Sequence, residues 1–233
     1  MKYEKVIEGI FLSRPNRFIA KVAIDGAEET VHVVNTGRMK ELLVPGAAVF
    51  LAEGKNPERK TKYDLIGVSH NGIIVNIDSF APNRVAAEFI PTLFPGVTLI
   101  KPETTFGKSR FDFYAEDNRD KIFLEVKGVT LRIGDEARFP DAPTERGAKH
   151  LRELIEAKKA GFRAAILFVV AREDTLCFSP NEKTDPAFAE ALRKAVENGV
   201  EAFAADCAVT KDSLTVRRLL PVSVTACPSV KKL

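Results

Sequence analysis

No stretch of this chain is apolar for long enough to cross a bilayer. The longest run, AAILFVVA from Ala164 to Ala171, falls far short of the roughly 20 residues that a spanning helix needs. The N-terminus, MKYEKVIEGIF, is charged through its first turn and has no long apolar stretch, so no signal peptide is expected. Cysteine is scarce. Cys177, Cys207 and Cys227 are odd in number, far apart and in no C-x-x-C pair, which predicts neither a zinc site nor a disulfide framework and suits a reducing cytoplasm. The histidines His32, His70 and His150 show no metal-ligand spacing. G-x-S-x-G, the P-loop and G-x-G-x-x-G are all missing, so serine hydrolase, NTPase and dinucleotide-binding readings lack support. A dominant charge of one sign is missing too: the formal net charge is only +3. The balance is even along the chain, with 11 Lys/Arg against 10 Asp/Glu in residues 1–83 and 24 against 22 in residues 84–233. A nucleic-acid partner has to be argued from local clusters.

What is present is a chain of 233 residues, 45% hydrophobic, enough for one or two domains with real cores. The first third reads as β-rich. KVIEGIFL, RFIAKVAI and TVHVVN are strand-like runs separated by turn residues. A short helix is expected at Arg38–Leu43, stopped by Pro45-Gly46, and AAVFLAE follows as a fourth strand. KYDLIGVSH and IIVNI are joined through Asn71-Gly72, the pair that suits a two-residue type I′ hairpin. Three strands, a short helix and further strands is the order of an OB-fold barrel, here with one strand extra. A boundary at APNRV divides the chain into an OB-like domain over residues 1–81 and a second domain over 82–233.

The second domain reads as α/β around a central mixed sheet. A helix starts at Arg84–Ile90; VTLI, RFDFY and KIFLEVKGV are strand candidates; Thr144–Ala160 and Pro186–Asn198 have helical spacing. AAILFVV is a continuous apolar strand, as expected at the centre of a sheet covered on both faces. VEAFAAD and LTVRRL finish as strands.

One strand is chemically odd. In FLEVKGVTL, Phe123–Leu131, a glutamate and a lysine stand among phenylalanine, leucine and valine. Alternation places Phe123, Glu125, Lys127 and Val129 on one face, with Glu125 and Lys127 about 7 Å apart. Upstream, RFDFY would put Phe111 and Phe113 on one face and Asp112 on the other. If the two segments pair as a hairpin, Asp112 and Glu125 lie side by side. Two buried carboxylates repel unless a cation joins them, and a hard divalent ion such as Mg²⁺ takes oxygen ligands of this kind. Lys127 would sit beside a coordinated water or a phosphate. The plainer alternative is that Glu-x-Lys is an ordinary surface ion pair.

Basic residues gather at two places. Lys55, Arg59, Lys60 and Lys62 lie between the fourth and fifth barrel strands, and Arg14 and Arg17 at the first interstrand loop, the loops that flank the oligonucleotide face of an OB-fold. Lys108 and Arg110 precede Asp112. Arg146, Lys149, His150 and Glu153 share one helix face opposite Leu151, Leu154 and Ile155, a wet face suited to phosphate contacts. Glu88 is read either as a further metal ligand or as a surface glutamate.

The ordered motifs NRFIAKV, HVVNTGRMKELLVPG, NPERKTKYDLI, KSRFDFY, FLEVKGVTL, FPDAPTERGAKHL and ILFVV resemble the sugar fermentation stimulation protein A family along nearly the whole chain. The resemblance implies an OB-like domain followed by a PD-(D/E)xK nuclease-like domain, DNA binding, and a link to the regulation of sugar metabolism, notably of maltose. The nuclease pattern maps onto Asp112 and Glu125-Val126-Lys127. Glu88 matches the glutamate often supplied by that superfamily's first helix, and Phe111 stands where the pattern's proline would be. The leading expectation is a cytoplasmic DNA-binding protein with a Mg²⁺- or Mn²⁺-dependent nuclease-like centre. Asp112, Glu125, the Val126 carbonyl and Glu88 would hold the ion, and Lys127 would serve the attacking water. The loop cations, with Arg38, Arg84, Arg110, Arg146 and Lys149, would grip phosphates. The alternative is a DNA-binding regulator of sugar metabolism that performs no chemistry. No membrane partner is expected, and a homodimer is compatible with either reading.

Overall fold

The computed structural model describes residues 1–54, 56 and 58–224. The first part of the chain closes into a barrel. Strand β1 (Val6–Asn16) pairs antiparallel with both β2 (Ile19–Ile24) and β4 (Ala48–Glu53). It can serve two neighbours because it is long and bulged, with register shifts after Phe11 and Ser13. Strand β3 (Ala27–Val33) pairs antiparallel with β2, and β5 (Tyr63–His70) with β4. A short parallel contact, His32 with Asp64 and Val33 with Leu65, then joins β3 to β5 and closes the ring. The extra strand β6 (Ile73–Asn76) hangs on β5. Its hairpin turns at Asn71 and Gly72, both in the left-handed region (φ 51° and 82°), the geometry that selects Asn-Gly. Phe11, Val22, Val31, Leu51, Leu65 and Val68 fill the barrel.

The helix expected at Arg38–Leu43 is absent; the segment is a turn. Met39 has a φ of 44°, a conformation that no α-helix continues through. The amides of Leu42 and Leu43 both return to the Met39 carbonyl. Buried Met39, Leu42 and Leu43 make the segment a plug for the barrel core.

The second part is a six-stranded sheet in the order β15-β14-β12-β9-β8-β7, formed by β7 (Leu99–Phe106), β8 (Ser109–Glu116), β9 (Lys121–Val129), β12 (Arg163–Val170), β14 (Glu201–Val209) and β15 (Leu214–Leu220). β12 runs parallel to β9 and β14, and the outer pairs are antiparallel. As its apolar run predicts, β12 is buried from Ala164 to Val170. Helix α1 (Ala81–Leu93) covers one face through Val85, Ala86 and Ile90. Helices α2 (Glu145–Lys159) and α3 (Pro186–Glu197) cover the other. Thr144 caps α2 and Asp185 caps α3, each accepting a backbone amide from the first turn. A small sheet of β10 (Arg132–Ile133), β11 (Glu136–Phe139) and β13 (Cys177–Pro180) was not expected; strands of two to four residues are too short for periodicity to mark. Cys207 is a buried free thiol.

The two parts are stitched together. The Asn76 amide donates to the Ala171 carbonyl at 3.0 Å. Asn76 also donates to the Tyr3 hydroxyl, which in turn donates to Asp78. A cleft of about 340 Å³ remains between them, lined by Asn35, Asp78, Pro82, Val129, Arg138 and Thr144 among others.

Helix α1 meets β9 most closely at Gly128. A Cβ there would stand 2.6 Å from Cγ of Pro82, and a proline ring has no rotamer in which to retreat. Gly128→Ala is therefore expected to cost about 1–3 kcal/mol and to push the start of α1 away from the sheet. Urea unfolding of the two proteins checks this.

Candidate active site

Strand β9 carries the site because it lies inside the sheet yet loses a neighbour halfway along. Its pairing with β8 runs from Glu116–Lys121 to Phe113–Leu124 and then stops. The next position on β8 is Asp112. On its other side, the β7–β8 ladder omits one pair at this place, Glu103 with Asp112, and Glu103 has a φ of 50°. This interruption corrects the expected alternation. Phe111 packs with the α2 residues and Phe113 with the α1 residues, so they do not share a face. Asp112 stands where the strand switches sides, and its carboxylate turns toward the backbone of β9. Oδ2 accepts the Val126 amide at 2.8 Å, and Oδ1 accepts the side-chain amide of Asn83 on α1 at 2.8 Å. One hydrogen bond thus stands in for the lost ladder bond, and the other ties the site to the helix that Gly128 admits.

Glu125 is only 1% exposed. Its Oε1 receives two donors, the Lys127 ammonium and Nδ1 of His150 on α2. Its Oε2 is buried and has no partner. Burial by itself would raise the pKa of Glu125; the hydrogen bond from His150 and the charge and hydrogen bond of Lys127 outweigh it and hold the carboxyl below the usual range. Asp112 shifts the other way. Burial first, and the Glu125 charge second, push its pKa up against the opposing Val126 amide, Asn83 and Lys127. The two carboxyls and the ammonium therefore share one electrostatic environment, as the hairpin geometry requires.

The donor set fits a hard divalent ion. A buried carboxylate oxygen with no partner, close to a second carboxyl, is chemically suited to accept a cation. Among the described residues no three His, Cys, Asp or Glu side chains form a ready-made cage. Mg²⁺ does not need one, since it commonly takes one or two carboxylates and completes its shell with water and phosphate oxygens.

The other expected site residues separate into groups. Glu88 does not join the cluster: its carboxylate receives the Met1 amino group at 2.8 Å. Asn83, on the same helix, is the α1 residue that reaches Asp112. Arg14 is a structural clamp, donating to the carbonyls of Arg17, Asn35, Gly37 and Arg38. Arg59 makes a bidentate pair with Asp64, which also contacts His32 at the barrel closure. Lys55 lies outside the described residues. Arg17 and Arg38 are exposed, the former stacked 4.8 Å from the Phe18 ring centroid. Lys60 and Lys62 are exposed, the latter beside Tyr63. Arg84 is exposed near the Tyr3 ring, and Arg110 pairs with Glu103. Lys149 reaches the Lys108 carbonyl, and Arg146 reaches His150. His150 was expected on the wet face of α2 but is 5% exposed. It stands three residues after Gly147, four before Leu154 and seven before Ala157, all buried, and that spacing is the signal that could have placed it inside. No sequence signal marks Asn83.

The architecture is an OB-like barrel followed by an α/β domain whose mixed sheet bears Asp112, Glu125 and Lys127. Comparison with known proteins makes this specific. The model for the sugar fermentation stimulation protein RE domain matches residues 80–213, and that for the SfsA N-terminal OB domain matches residues 12–77. The chain belongs to the sugar fermentation stimulation protein (SfsA) family. The homologue from Clostridium beijerinckii is 51% identical over 224 residues, covering 95% of this chain and 99% of the relative. That from Desulfitobacterium hafniense strain Y51 is 55% identical over 215 residues, covering 92% and 94%. The solved structure of Pyrococcus furiosus SfsA in complex with Ca²⁺ superposes with a TM-score of 0.86 at 34% identity, covering 96% of this chain and 98% of that one.

A carboxyl whose pKa rises on folding contributes stability below its unfolded pKa and loses it as pH rises through the folded value. Ionised Asp112 is thus a liability in the metal-free protein at neutral pH. Asn can keep the Val126 bond if Asn83 turns its amide. Asp112→Asn is expected to raise the thermal midpoint in EDTA at pH 7 by about 2–4 °C. The gain should vanish below about pH 4, near the unfolded aspartate value. Calorimetric melts across pH measure it.

Proposed function

We propose that this protein is a Mg²⁺- or Mn²⁺-dependent nuclease that hydrolyses phosphodiester bonds in DNA. The observation that carries the reading is the unpartnered Oε2 of Glu125, buried beside Asp112. Asp112, Glu125 and the Val126 carbonyl would hold the ion, without Glu88. The Pyrococcus furiosus relative was solved in complex with Ca²⁺, which supports the use of a hard, oxygen-seeking ion. When bound, such an ion supplies Lewis-acid polarisation of a phosphoryl oxygen. The Lys127 ammonium, 17% exposed and fixed on Glu125, places a positive charge where negative charge builds on the phosphate and can orient the attacking water. Arg146, Lys149, Lys108 and Arg110 surround the same end of the sheet and would contact flanking phosphates. The exposed Arg17, Arg38, Lys60, Lys62 and Arg84 would extend the backbone contacts over the barrel. No helix among the described residues is long and apolar enough to cross a membrane.

A second reading, a DNA-binding regulator of sugar metabolism that cuts nothing, is favoured by the exposed Arg17, Arg38, Lys60 and Lys62 on the barrel, since backbone contacts of that kind need no metal. Labelled single- and double-stranded DNA incubated with Mg²⁺ or Mn²⁺ separates the two. Strand breaks that stop with chelator and fall about 100-fold or more in Lys127→Ala and Asp112→Asn are the expected result. Cleavage indifferent to both substitutions would overturn the assignment of the site. Metal-independent binding with intact strands would establish the second reading.

A further inference from the structure

We infer that Arg146 and His150 form a hydrogen-bonded positioning relay that fixes which oxygen of Glu125 is offered to the ion. The inference rests on the proposed reading of Glu125 as a metal ligand. Nδ1 of His150 faces Oε1 of Glu125, and its Nε2 lies 3.4 Å from Nε of Arg146. A guanidinium has donors only and keeps its proton throughout the accessible pH range. His150 Nε2 must therefore present its lone pair to Arg146, so the single ring proton sits on Nδ1 and points at Glu125. Arg146 selects the tautomer, and the tautomer selects the hydrogen bond.

The consequence lies in the last torsion of Glu125. Rotation about the bond to a carboxylate is broad and roughly two-fold. Lys127 alone, at the end of a flexible stem, would follow that rotation. His150 does not follow. It is 5% exposed, sits on a different element, and has Phe111 edge-on with ring centroids 6.2 Å apart. Two donors from β9 and α2 converge on Oε1, and Oε2 is left as the one oxygen without a partner. Arg146 itself is exposed at the start of α2. The relay thus runs from a surface cation to the buried carboxylate. Both residues act through Glu125 and are positioning residues.

Two measurements test the relay. Nitrogen-15 NMR of the ring nitrogens in the metal-free wild-type protein should find His150 protonated on Nδ1 and bare on Nε2; a proton on Nε2, alone or with one on Nδ1, would overturn the relay. Titration calorimetry with Mn²⁺ should find binding weakened about 10–100-fold in His150→Ala. It should be largely restored in His150→Asn, which can present an N–H near the same place, and weakened severalfold in Arg146→Met, a surface change that leaves the fold alone. Mn²⁺ affinities of Arg146→Met and His150→Ala within twofold of wild type would remove the relay and leave the metal site standing. A wild-type protein that binds no Mn²⁺ would remove both.

Discussion

The Glu125 carboxylate is the group on which the rest of this structure turns. An isolated ionised carboxylate in a sheet interior costs several kcal/mol, and most proteins avoid it. Here two cationic or polar donors from separate elements meet one of its oxygens, and the hydrogen bond from His150 with the charge of Lys127 outweighs the desolvation that burial imposes. The arrangement is tolerable only as a unit. Lys127 has to share a strand face with Glu125, which alternation guarantees, and α2 has to lie across that face with His150 inward. The core of Phe111, Phe123, Leu151 and Leu154 secures the second condition.

Asp112 obeys a different constraint. A carboxylate in the middle of a regular ladder would point to one face or the other. The missing Glu103–Asp112 pair and the left-handed Glu103 free the strand to turn. The side chain then caps the Val126 amide, a group that a continuous β8 ladder would otherwise satisfy. Asn83 completes the set because α1 lies close on β9, and it lies close because residue 128 has no side chain to meet Pro82. A backbone irregularity, a glycine and a helix start cooperate to bring two repelling acids together, the kind of local inconsistency that proteins keep where function requires it.

Two cations that local clustering placed on a nucleic-acid surface do other work. Arg14 satisfies four carbonyls of loops that cannot satisfy one another. Arg59 neutralises Asp64, whose carboxyl it holds, together with His32, below the usual range in spite of burial. Both sit where the barrel closes or its loops cross. A charged residue in a turn-rich segment looks the same in sequence whether it faces solvent or a cage of carbonyls. The difference is made by loops distant in the chain.

Local chemistry was enough to make the barrel order, the Asn71-Gly72 hairpin, the fully buried β12 and the pairing of Asp112's strand with that of Glu125 legible in the sequence. Each rests on a period, a turn residue or an apolar run that needs no partner to be recognised. The same alternation put Glu125 and Lys127 on one face and singled them out. What it could not supply was the break at Asp112, the inward turn of His150, the contact of Asn83 with Asp112, or the plug at Met39. Those depend on which element lies across from each residue and on backbone angles that only packing selects. The sequence by itself set Glu125 and Lys127 on one face of an apolar strand; the tertiary structure alone decided which other groups would answer them and Asp112, because His150 and Asn83 come from segments far away in the chain.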